Sequence, residues 1–335
     1  MRLHQKKVKI DIIGPYPPPL GGVSTHIQRI AKHLTHNNID FQIVNQYKTD
    51  SNKSIYNIAW ITGLLFKRKI VHVHIFSDIL YPTLWLLKKI NPRSTILITI
   101  HNERLLTKKT YPLIVKIIRA TNYHKVISAS EKLTNSLKSK NIKATYLPAY
   151  VPPEFDRTTN SPIIKSGYDL NICSNISRFY DNCISDYGLD FICELAGRFP
   201  RHAFTIFLGD RNSEAQLKDW LRNKPENLYV VSELNLVDHL PSFDIFLRLN
   251  RLDAYGVSIQ EALDCGVVAL ATSVCTRPKG AVLVEAEITK IHNIYERVSS
   301  ASAEERRMLI ESHTPPIHHQ TLIEIYKELV NLTRT

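Results

Sequence analysis

The 335-residue sequence lacks a long apolar run of the kind that crosses a membrane. The uncharged stretch that comes nearest, Ser54–Phe66, has 13 residues and is interrupted by Asn57 and Gly63, whereas a bilayer span needs about 20 apolar residues. The N-terminus, Met1–Lys9, is polar and basic and shows neither the apolar core nor the small-residue cleavage site of a signal peptide. These absences predict a chain that does not thread through a membrane, although it could lie on one.

Cysteine is scarce and shows no pairing pattern. The five cysteines are odd in number and include no C-x-x-C pair, which argues against a disulfide framework and against a zinc site. We expect buried or free thiols in a reducing compartment at Cys173, Cys183, Cys193, Cys265 and Cys275. With 44% hydrophobic and 22% charged residues, the composition is that of an ordinary globular protein, and the length predicts two domains of about 150 residues.

Acidic residues are few in the first half of the chain. Residues 1–150 contain 24 Lys and Arg against 6 Asp and Glu, a net charge of +18, whereas residues 151–335 contain 19 against 25, a net charge of −6. This asymmetry predicts that the first half faces something anionic, such as lipid head groups, diphosphates or nucleic acid. A merely solubilising basic surface is the alternative.

Short β-branched runs alternate with helical stretches in both halves. Val8–Ile13 is strand-like and Gly22–Leu34 is helix-like, and this alternation is typical of a parallel sheet covered by helices. It continues through the predicted strands Ile70–Ile75, Thr95–Ile100, Lys125–Ile127, Leu170–Cys173, Ala203–Leu208, Leu228–Val231, Asp244–Leu247 and Val267–Ala271.

The alternation breaks at the proline-rich stretch Pro148–Pro162. We therefore expect an α/β protein with two Rossmann-like parallel-sheet domains, over residues 1–150 and 169–310, facing each other across a ligand-binding cleft. A linker over residues 151–168 and a terminal helix over residues 311–335, with the first domain as its candidate packing partner, complete the expected organisation.

Two glycines open the first predicted helix after a proline-stiffened loop. At Gly21 and Gly22, backbone N–H groups can approach a phosphate, and the helix dipole favours the anion. The spacing matches neither a dinucleotide fingerprint nor a Walker loop, so a plain glycine turn remains the alternative.

A second motif places two carboxylates eight residues apart. Asp253 lies shortly before a glycine, and Glu261 lies about one turn inside a predicted helix that ends at Gly266. A carboxylate there can accept two hydrogen bonds from a vicinal diol such as a ribose. The apolar neighbours Val257 and Leu263 make a fully solvated acid pair the weaker interpretation.

In this order and context, the motifs resemble the family 4 group of GT-B nucleotide-sugar glycosyltransferases. Gly-Gly-Val-x-x-His follows the first strand, and an Asp-x7-Glu motif stands where the family usually has Glu-x7-Glu. The resemblance covers nearly the whole chain and is strongest to bacterial capsule, O-antigen and exopolysaccharide enzymes. The other matching segments are Ile98–Asn102, Val126–Ser130, Leu147–Val151, Thr205–Asp210 and Arg277–Gly280.

The resemblance implies a donor-binding role for residues of both halves. Gly21 and Gly22 would face the donor diphosphate, and Arg178 would bind it from the second domain. Backbone N–H groups at the start of the second-motif helix would help to bind phosphate, namely those of Tyr255, Gly256, Val257 and Ser258.

Three residues take catalytic roles by the same resemblance. Glu261 would hold the ribose diol, Asp253 would contact hydroxyls of the transferred sugar, and His101 would sit beside the reacting sugar near the acceptor. For His101, a satisfied histidine at a strand end is the alternative.

Two positions depart from the family pattern. Tyr187 stands before Gly188 where a diphosphate-binding lysine is expected, so one cation is missing. Arg248 or Arg251 could substitute for it. Asp253 replaces the usual glutamate and shortens its reach by one methylene.

We predict no metal and no cofactor. The chain has no Asp-x-Asp motif, so Arg178, the helix N-terminus and the glycine loop would neutralise the leaving diphosphate. His72 and His74 lie on one face of a predicted strand and could be read as metal ligands. Because no third ligand is near, we interpret them as core or cleft-edge residues.

Segments of the basic half mix aliphatic residues with cations, as in Trp60–Lys69, Tyr81–Lys89 and Leu105–Arg119. A basic amphipathic surface suits an anionic bilayer, where each cation contributes about 1 kcal/mol. Core helices with solvated lysines are the alternative. The candidate acceptor-facing or membrane-facing residues are Lys108, Lys109, Lys116 and Arg119.

The resemblance thus predicts a retaining, metal-independent glycosyltransferase of the cytoplasm, peripheral on the inner face of the plasma membrane. It would move a hexosyl unit from a nucleotide-diphospho-sugar, most commonly a UDP-sugar, to a membrane-linked glycan or lipid in polysaccharide biosynthesis. A weak or inactive GT-B partner subunit is the second hypothesis, motivated by Tyr187. A polyanion-binding protein without catalysis is the third, but no RNA-binding motif is evident and no nucleic-acid partner is expected.

Overall fold

A computed structural model describes residues 9–17, 22–45, 70–75, 77–101, 103–153, 163–180, 182–222, 224–232, 234–253, 255–311, 313 and 316–332. The chain divides into two compact units. The first comprises Met1–Pro18, Gly22–Val151 and Ile317–Thr335, and the second comprises chiefly Pro152–Pro316. Gly21, the segment Trp60–Lys69 and residues 154–162 of the predicted linker lie outside the described residues.

The first unit is built on a six-stranded sheet of order β2-β1-β3-β4-β5-β6, in which every described pairing is parallel. Its strands are β1 (Ile10–Gly14), β2 (Phe41–Asn45), β3 (Ile70–Ile75), β4 (Thr95–Ile100), β5 (Lys125–Ser128) and β6 (Ala144–Tyr146). Its helices are α1 (Gly22–His36), α2 (Leu80–Ile90), α3 (Tyr111–Thr121), α4 (Glu131–Ser139) and α12 (His318–Leu332), with a 3-10 turn at Glu103–Thr107.

Helices cover both faces of this sheet. One buried cluster joins strand residues such as Val73 and Ile98 to α2, α3 and α4. The other joins Ile12 to α1 and to Tyr326 of α12. The helix α12, which follows the second unit in sequence, therefore forms part of the core of the first.

The second unit has the same plan, with a parallel sheet of order β12-β11-β10-β7-β8-β9. Its strands are β7 (Leu170–Ile176), β8 (His202–Leu208), β9 (Leu228–Ser232), β10 (Ile245–Arg248), β11 (Val268–Thr272) and β12 (Val282–Val284). Its helices are α5 (Cys183–Asp186), α6 (Leu189–Arg198), α7 (Glu214–Leu221), α8 (Leu236–His239), α9 (Val257–Asp264), α10 (Ile288–Ser300) and α11 (Ala303–Met308), with 3-10 turns at Arg211–Ser213 and Leu240–Ser242.

Local sequence signals fix several helix ends. Ser130 accepts a hydrogen bond from the N–H of Leu133 at 3.1 Å and so caps α4. Ser302 and Glu305 form a reciprocal capping box at the start of α11. The left-handed residue Asn122 ends α3.

The nine predicted strand runs are all confirmed, with Val8–Ile13 starting later, at Ile10. The terminal helix expected over residues 311–335 is observed as α12, which begins at His318 and extends to Leu332. Three strands were not predicted: Phe41–Asn45, Ala144–Tyr146 and Val282–Val284. Among the described residues, no helix is long and apolar enough to span a bilayer.

Candidate functional site

Polar side chains of the second unit meet at the carboxyl ends of three adjacent strands. Arg248 is the last residue of β10, Thr272 is the last residue of β11, and Asn175 lies next to the end of β7. Open parallel sheets bind ligands at this edge, because the loops that follow neighbouring strands lie side by side there. The Asp-x7-Glu motif, which follows β10 in sequence, therefore lies at the edge where ligands are expected.

Glycine at position 256 determines how α9 begins. Gly256 has a φ of +80°, and a Cβ there would lie 2.6 Å from Cδ1 of Ile259 and 2.9 Å from Nη1 of Arg277. Only glycine fits this left-handed, crowded position. The first N–H groups of α9, at Val257 and Ser258, follow directly and have no acceptor within the helix.

Glu261 lies in the second turn of α9 and is only 6% exposed. The sequence interpretation that it is not a solvated surface acid is confirmed. Tyr255, just before the helix, donates its hydroxyl to Oε1 of Gln260 at 2.9 Å, and Gln260 donates to Asp264 at 2.9 Å. This chain of hydrogen bonds ties the loop before α9 to the body of the helix.

Asp253 lies between two arginines. Oδ2 accepts from Nε of Arg248 at 2.9 Å and from Nη1 of Arg277 at 2.6 Å, and Oδ1 accepts from Nη2 of Arg248 at 3.0 Å. Burial alone would raise the pKa of Asp253, but the two guanidinium groups hold it well below its usual range. The carboxylate is therefore ionised at neutral pH, and the three side chains, which we call the arginine–aspartate triad, carry a net charge of +1.

The triad is fastened to neighbouring strands. Arg248 also donates to Oδ1 of Asn175 at 3.0 Å, and its guanidinium carbon lies 5.8 Å from the ring centroid of Tyr187. Arg277, whose side chain is fully buried, donates from Nε to the carbonyl of Thr272 at 2.8 Å. Sequence reasoning named Arg248 only as a substitute cation and gave Arg277 no role, because ion pairing across loops leaves no local signal.

Arg251, the other candidate substitute, is engaged elsewhere. It forms a bidentate ion pair with Asp190 at 2.7 and 2.6 Å, and its guanidinium carbon lies 3.7 Å from the ring centroid of Phe191. Arg178 is exposed just past the end of β7, and its guanidinium carbon lies 5.9 Å from the ring centroid of Tyr180. Arg178 and Arg248 are thus the two arginines that lie at the carboxyl ends of β7 and β10.

Gly188, which follows Tyr187, is required by packing. It has a φ of +64°, and a Cβ would collide with the backbone carbonyl of Leu249. The hydroxyl of Tyr187 shares a hydrogen bond with Oγ of Ser177 at 2.5 Å. The tyrosine that replaces the expected lysine is therefore held between Ser177, which precedes Arg178 in the chain, and the guanidinium group of Arg248.

The first unit brings four histidines together. His72 and His74 come from β3, His101 follows β4, and His26 comes from α1. The ring centroids of His72 and His74 are 4.2 Å apart, those of His74 and His101 5.1 Å, and those of His26 and His74 5.4 Å. Sequence reasoning found no third histidine near the β3 pair, because only the strand pairing and the docking of α1 bring these residues together.

Burial keeps these histidines neutral. It lowers the pKa of His26 to about 4 and that of His101 to about 3, and it holds those of His72 and His74 well below their usual range. Among the described residues, no group of three or more His, Cys, Asp or Glu side chains could hold a metal ion. The cluster is therefore a set of uncharged hydrogen-bonding rings.

Gly22 begins α1, and a Cβ at this position would meet no atom within 4 Å. Packing within the described residues thus does not explain why the position is glycine. Its predicted partner Gly21 lies outside the described residues.

The cations predicted to face a membrane lie on and just before α3. Lys109 and Lys116 are exposed, Lys108 pairs with Asp78 at 2.8 Å, and Arg119 donates to the carbonyl of Lys140 at 2.5 Å. The large exposed apolar side chains of α2 and α3 are Trp85, Leu86, Ile90 and Leu113. We call these residues of α2 and α3 the basic apolar surface.

No protein-family model and no curated protein matches the sequence. Solved structures match almost the whole chain. Sucrose-phosphate synthase from Thermosynechococcus elongatus has 12% identity and a TM-score of 0.69, with 97% of this chain and 100% of that chain covered. A glycosyltransferase from Rickettsia africae ESF-5 has 17% identity and a TM-score of 0.66, with 97% and 99% covered. HepE from Anabaena, solved in complex with UDP and glucose, has 11% identity and a TM-score of 0.68, with 98% and 100% covered. These likenesses confirm the expected fold class, a GT-B fold with two Rossmann-like α/β domains.

Proposed function

We propose that this chain is a glycosyltransferase that transfers a hexosyl unit from a nucleotide-diphospho-sugar, with a UDP-sugar as the first candidate, to a membrane-linked glycan or lipid during polysaccharide synthesis. The observation that carries the proposal is the strand-end site of the second unit, where the buried Glu261, the start of α9 and a triad of net charge +1 follow β10 and β11. HepE, which has the same fold, was solved with UDP and glucose.

In the proposed donor site, positive charge is supplied from three sources. Arg178 and the first N–H groups of α9, together with those of Tyr255 and Gly256, bind the diphosphate. The surplus charge of the arginine–aspartate triad takes the place of the lysine that Tyr187 replaces. Asp253 holds Arg248 for this purpose, and its second lone pair on Oδ1 contacts a hydroxyl of the transferred sugar.

Glu261 accepts hydrogen bonds from the ribose diol in this proposal. Glu261 lies in the second turn of α9, one turn from the backbone N–H groups that we propose for the diphosphate. In a nucleoside diphosphate the ribose is likewise next to the phosphates. Gly22 contributes the close backbone approach to the diphosphate that an absent Cβ permits.

The proposed reaction retains anomeric configuration and needs no protein nucleophile. The acceptor hydroxyl attacks the anomeric carbon on the face from which the diphosphate leaves. The bond from that carbon to the phosphate oxygen breaks, the new glycosidic bond forms, and the departing phosphate oxygen takes the hydroxyl proton. Fixed positive groups stabilise the charge that develops on the leaving diphosphate.

A membrane-linked acceptor fits the charge of the first unit. The basic apolar surface combines Lys109 and Lys116 with Leu113, which is 59% exposed. Cations beside apolar side chains bind anionic bilayers through both charge and burial. We therefore place the working enzyme on an anionic membrane surface.

Ligand binding and one substitution test the function. A UDP-sugar is expected to raise the Tm of the wild type, because ligand bound only to the folded state stabilises it, and GDP- and CMP-sugars serve as comparisons. Glu261→Gln keeps the shape of the side chain but removes the charge that strengthens its hydrogen bonds. It is expected to weaken donor binding and lower kcat/KM about 10- to 100-fold.

Glu285→Gln, on the surface beside Lys290, is the matched control and should leave kinetics unchanged. Wild-type kinetics in Glu261→Gln would remove the carboxylate from the proposed site. If none of the three nucleotide sugars shifts the Tm, the proposal that the protein binds a nucleotide-sugar donor is contradicted.

A catalytically inactive partner subunit is the second candidate function. The replacement of the expected lysine by Tyr187 favours it, because the leaving diphosphate then lacks one direct cation. Donor hydrolysis separates the two: slow release of UDP from a bound UDP-sugar supports the enzyme, whereas binding without any hydrolysis or transfer supports the inactive subunit.

A further inference from the structure

His74 and His101 share one hydrogen bond at the carboxyl end of β4. Nδ1 of His74 and Nε2 of His101 are 2.8 Å apart, and the ring planes are inclined by 19°. A neutral imidazole carries one N–H and one bare nitrogen, so one ring donates and the other accepts. Both rings are neutral at physiological pH because burial lowers their pKa values. The direction of this hydrogen bond therefore decides which nitrogen of His101 carries a hydrogen.

The second nitrogen of His74 indicates the direction. Nε2 of His74 is buried and has no hydrogen-bond partner among the described residues. If His101 donated, His74 would accept on Nδ1 and would have to carry its own hydrogen on Nε2, which would bury an unpaired donor. Unpaired buried N–H groups are rare because they lose the hydrogen bond that water would give them. If His74 donates instead, only a lone pair is left at Nε2.

The neighbouring histidines do not impose the opposite arrangement. Nδ1 of His72 contacts the hydroxyl of Tyr326, and its Nε2 lies 2.7 Å from Oγ1 of Thr99. Hydroxyl groups rotate to donate or accept, so both tautomers of His72 are satisfied. The ring of His26 meets those of His74 and His101 edge-on, without a hydrogen bond to either.

We propose that His74 is a positioning residue that donates from Nδ1 to Nε2 of His101 and thereby holds His101 as its Nδ1–H tautomer, a neutral donor toward an oxygen of the bound saccharide. The saccharide part of this inference rests on the proposed function. Nδ1 of His101 forms no hydrogen bond to another described residue, and the residue is partly exposed. Because the lone pair on Nε2 already accepts from His74, His101 has no free lone pair to take a proton, which agrees with a reaction in which the leaving diphosphate takes it.

Nitrogen NMR tests the tautomer directly, without donor or acceptor. In protein labelled with 15N-histidine, a nitrogen that carries hydrogen and a bare nitrogen have widely separated shifts. The His101 signals are assigned by their loss in His101→Gln. We expect a protonated Nδ1 and a bare Nε2, unchanged between about pH 6 and pH 8 because the pKa of His101 lies near 3. A protonated Nε2 with a bare Nδ1 would overturn the inference.

Two variants of His74 test its role in the reaction. His74→Asn keeps an N–H that can reach Nε2 of His101, whereas His74→Leu keeps none. His74→Leu is expected to lower kcat about 10- to 100-fold with little change in the donor KM, since a small displacement of a reacting group has effects of this size. His74→Asn should retain most of the activity and the Nδ1–H signature.

Equal losses in the two variants, with the tautomer of His101 unchanged in both, would contradict a positioning role. If the wild type neither binds nor hydrolyses any nucleotide sugar, the proposed function fails while the NMR result still decides the tautomer. The two failures are therefore distinguishable.

Discussion

The side chains of Asp253, Arg248 and Arg277 stabilise the fold only when all three are present, because none is more than 13% exposed. The side chain of Arg277 is fully buried and that of Asp253 is 10% exposed. Removing one member of such a set is costly, because the charge left behind has neither water nor a partner. The neighbouring pair of Arg251 and Asp190 is exposed, and water can replace either member.

Asp253→Asn is expected to lower the free energy of unfolding by about 3–5 kcal/mol, because the amide leaves the guanidinium groups of Arg248 and Arg277 without a counter-charge. Denaturant unfolding at neutral pH measures the change. Asp190→Asn, which removes the exposed carboxylate, is the control and should cost at most about 1 kcal/mol.

The pH dependence of stability tests the role of Asp253 in a second way. The folded-state pKa of Asp253 lies below its unfolded value of about 3.9, so its ion pairs stabilise the fold fully above that pH. Their contribution is lost as the pH falls below that value and through the folded pKa. The wild type should therefore lose its advantage over Asp253→Asn on acidification, and equal stability of the two at pH 7 would contradict a structural triad.

Gly22→Ala separates ligand approach from packing. A Cβ at position 22 meets open space, so the free energy of unfolding should change by less than about 1 kcal/mol, with alanine favoured as the better helix former. If the diphosphate approaches this backbone, the donor KM should rise about tenfold or more. Stability measurements and donor titration on the same variant test both statements.

Gly188→Ala is the contrasting variant. The positive φ of Gly188 and the adjacent carbonyl of Leu249 leave no room for a methyl group, so the variant should be destabilised by more than about 1 kcal/mol.

For Gly22→Ala, an unchanged donor KM would contradict the place of Gly22 in the proposed site.

At the scale of elements, α12 contributes a polar group as well as apolar surface to the first unit. Tyr326 is fully buried, and its hydroxyl contacts Nδ1 of His72 on β3. Leu322 and Leu329, one helical turn to either side, are buried with it. The helix is therefore fixed in register on the sheet by a hydrogen bond that lies inside an apolar cluster.

Tyr326→Phe removes only the hydroxyl and leaves Nδ1 of the buried His72 unpaired. We expect the free energy of unfolding to fall by about 1–3 kcal/mol, as measured by urea unfolding. Tyr295→Phe in the second unit is the control, because its hydroxyl lies 2.8 Å from Nδ1 of the half-buried His202, where water can replace it. Equal costs in the two variants would show that burial of His72 does not matter.

Element type was predictable where strands are buried on both faces. Ile70–Ile75 and Thr95–Ile100 are rich in β-branched residues along their whole length because helices cover both sides of the sheet. Three of the four sheet-edge strands, at Phe41–Asn45, Ala144–Tyr146 and Val282–Val284, were not predicted. An edge strand has one neighbour and packs less apolar surface, so its sequence carries a weaker pattern.

The site was predictable in its motifs but not in its pairings. The spacing of Asp253 and Glu261 indicated a buried acid, which the exposure of Glu261 bears out. The arginines around Asp253 and the contact of His74 with His101 depend on which loops and strands become neighbours. The sequence separations, 24 residues from Asp253 to Arg277 and 27 from His74 to His101, carry no periodic signal.

At the scale of the whole molecule, the fold is shared with several enzymes at low identity, and function resides in the sites placed on it. The two halves of the chain also differ in charge, +18 against −6. Such a difference orients a protein toward an anionic surface with its cationic half foremost.

Sedimentation with anionic vesicles tests this orientation. Binding should weaken as salt is raised, because screening acts on exposed charges. The double variant Lys109→Gln and Lys116→Gln should weaken binding about 30-fold, as each cation contributes about 1 kcal/mol. Lys290→Gln, in the second unit, is the control. Binding that is insensitive to salt and to both lysines would contradict the proposed membrane surface.

The position of α12 bears on how the protein is made. Ribosomes synthesise the whole second unit before Tyr326 emerges, yet the core of the first unit needs that residue. A nascent chain stalled before Ile317 would contain the whole second unit, but in the first unit α1 alone would cover the sheet face that α12 shares. At about 5–20 residues per second, that face stays partly open to chaperones for about 10–40 s after its own strands are complete.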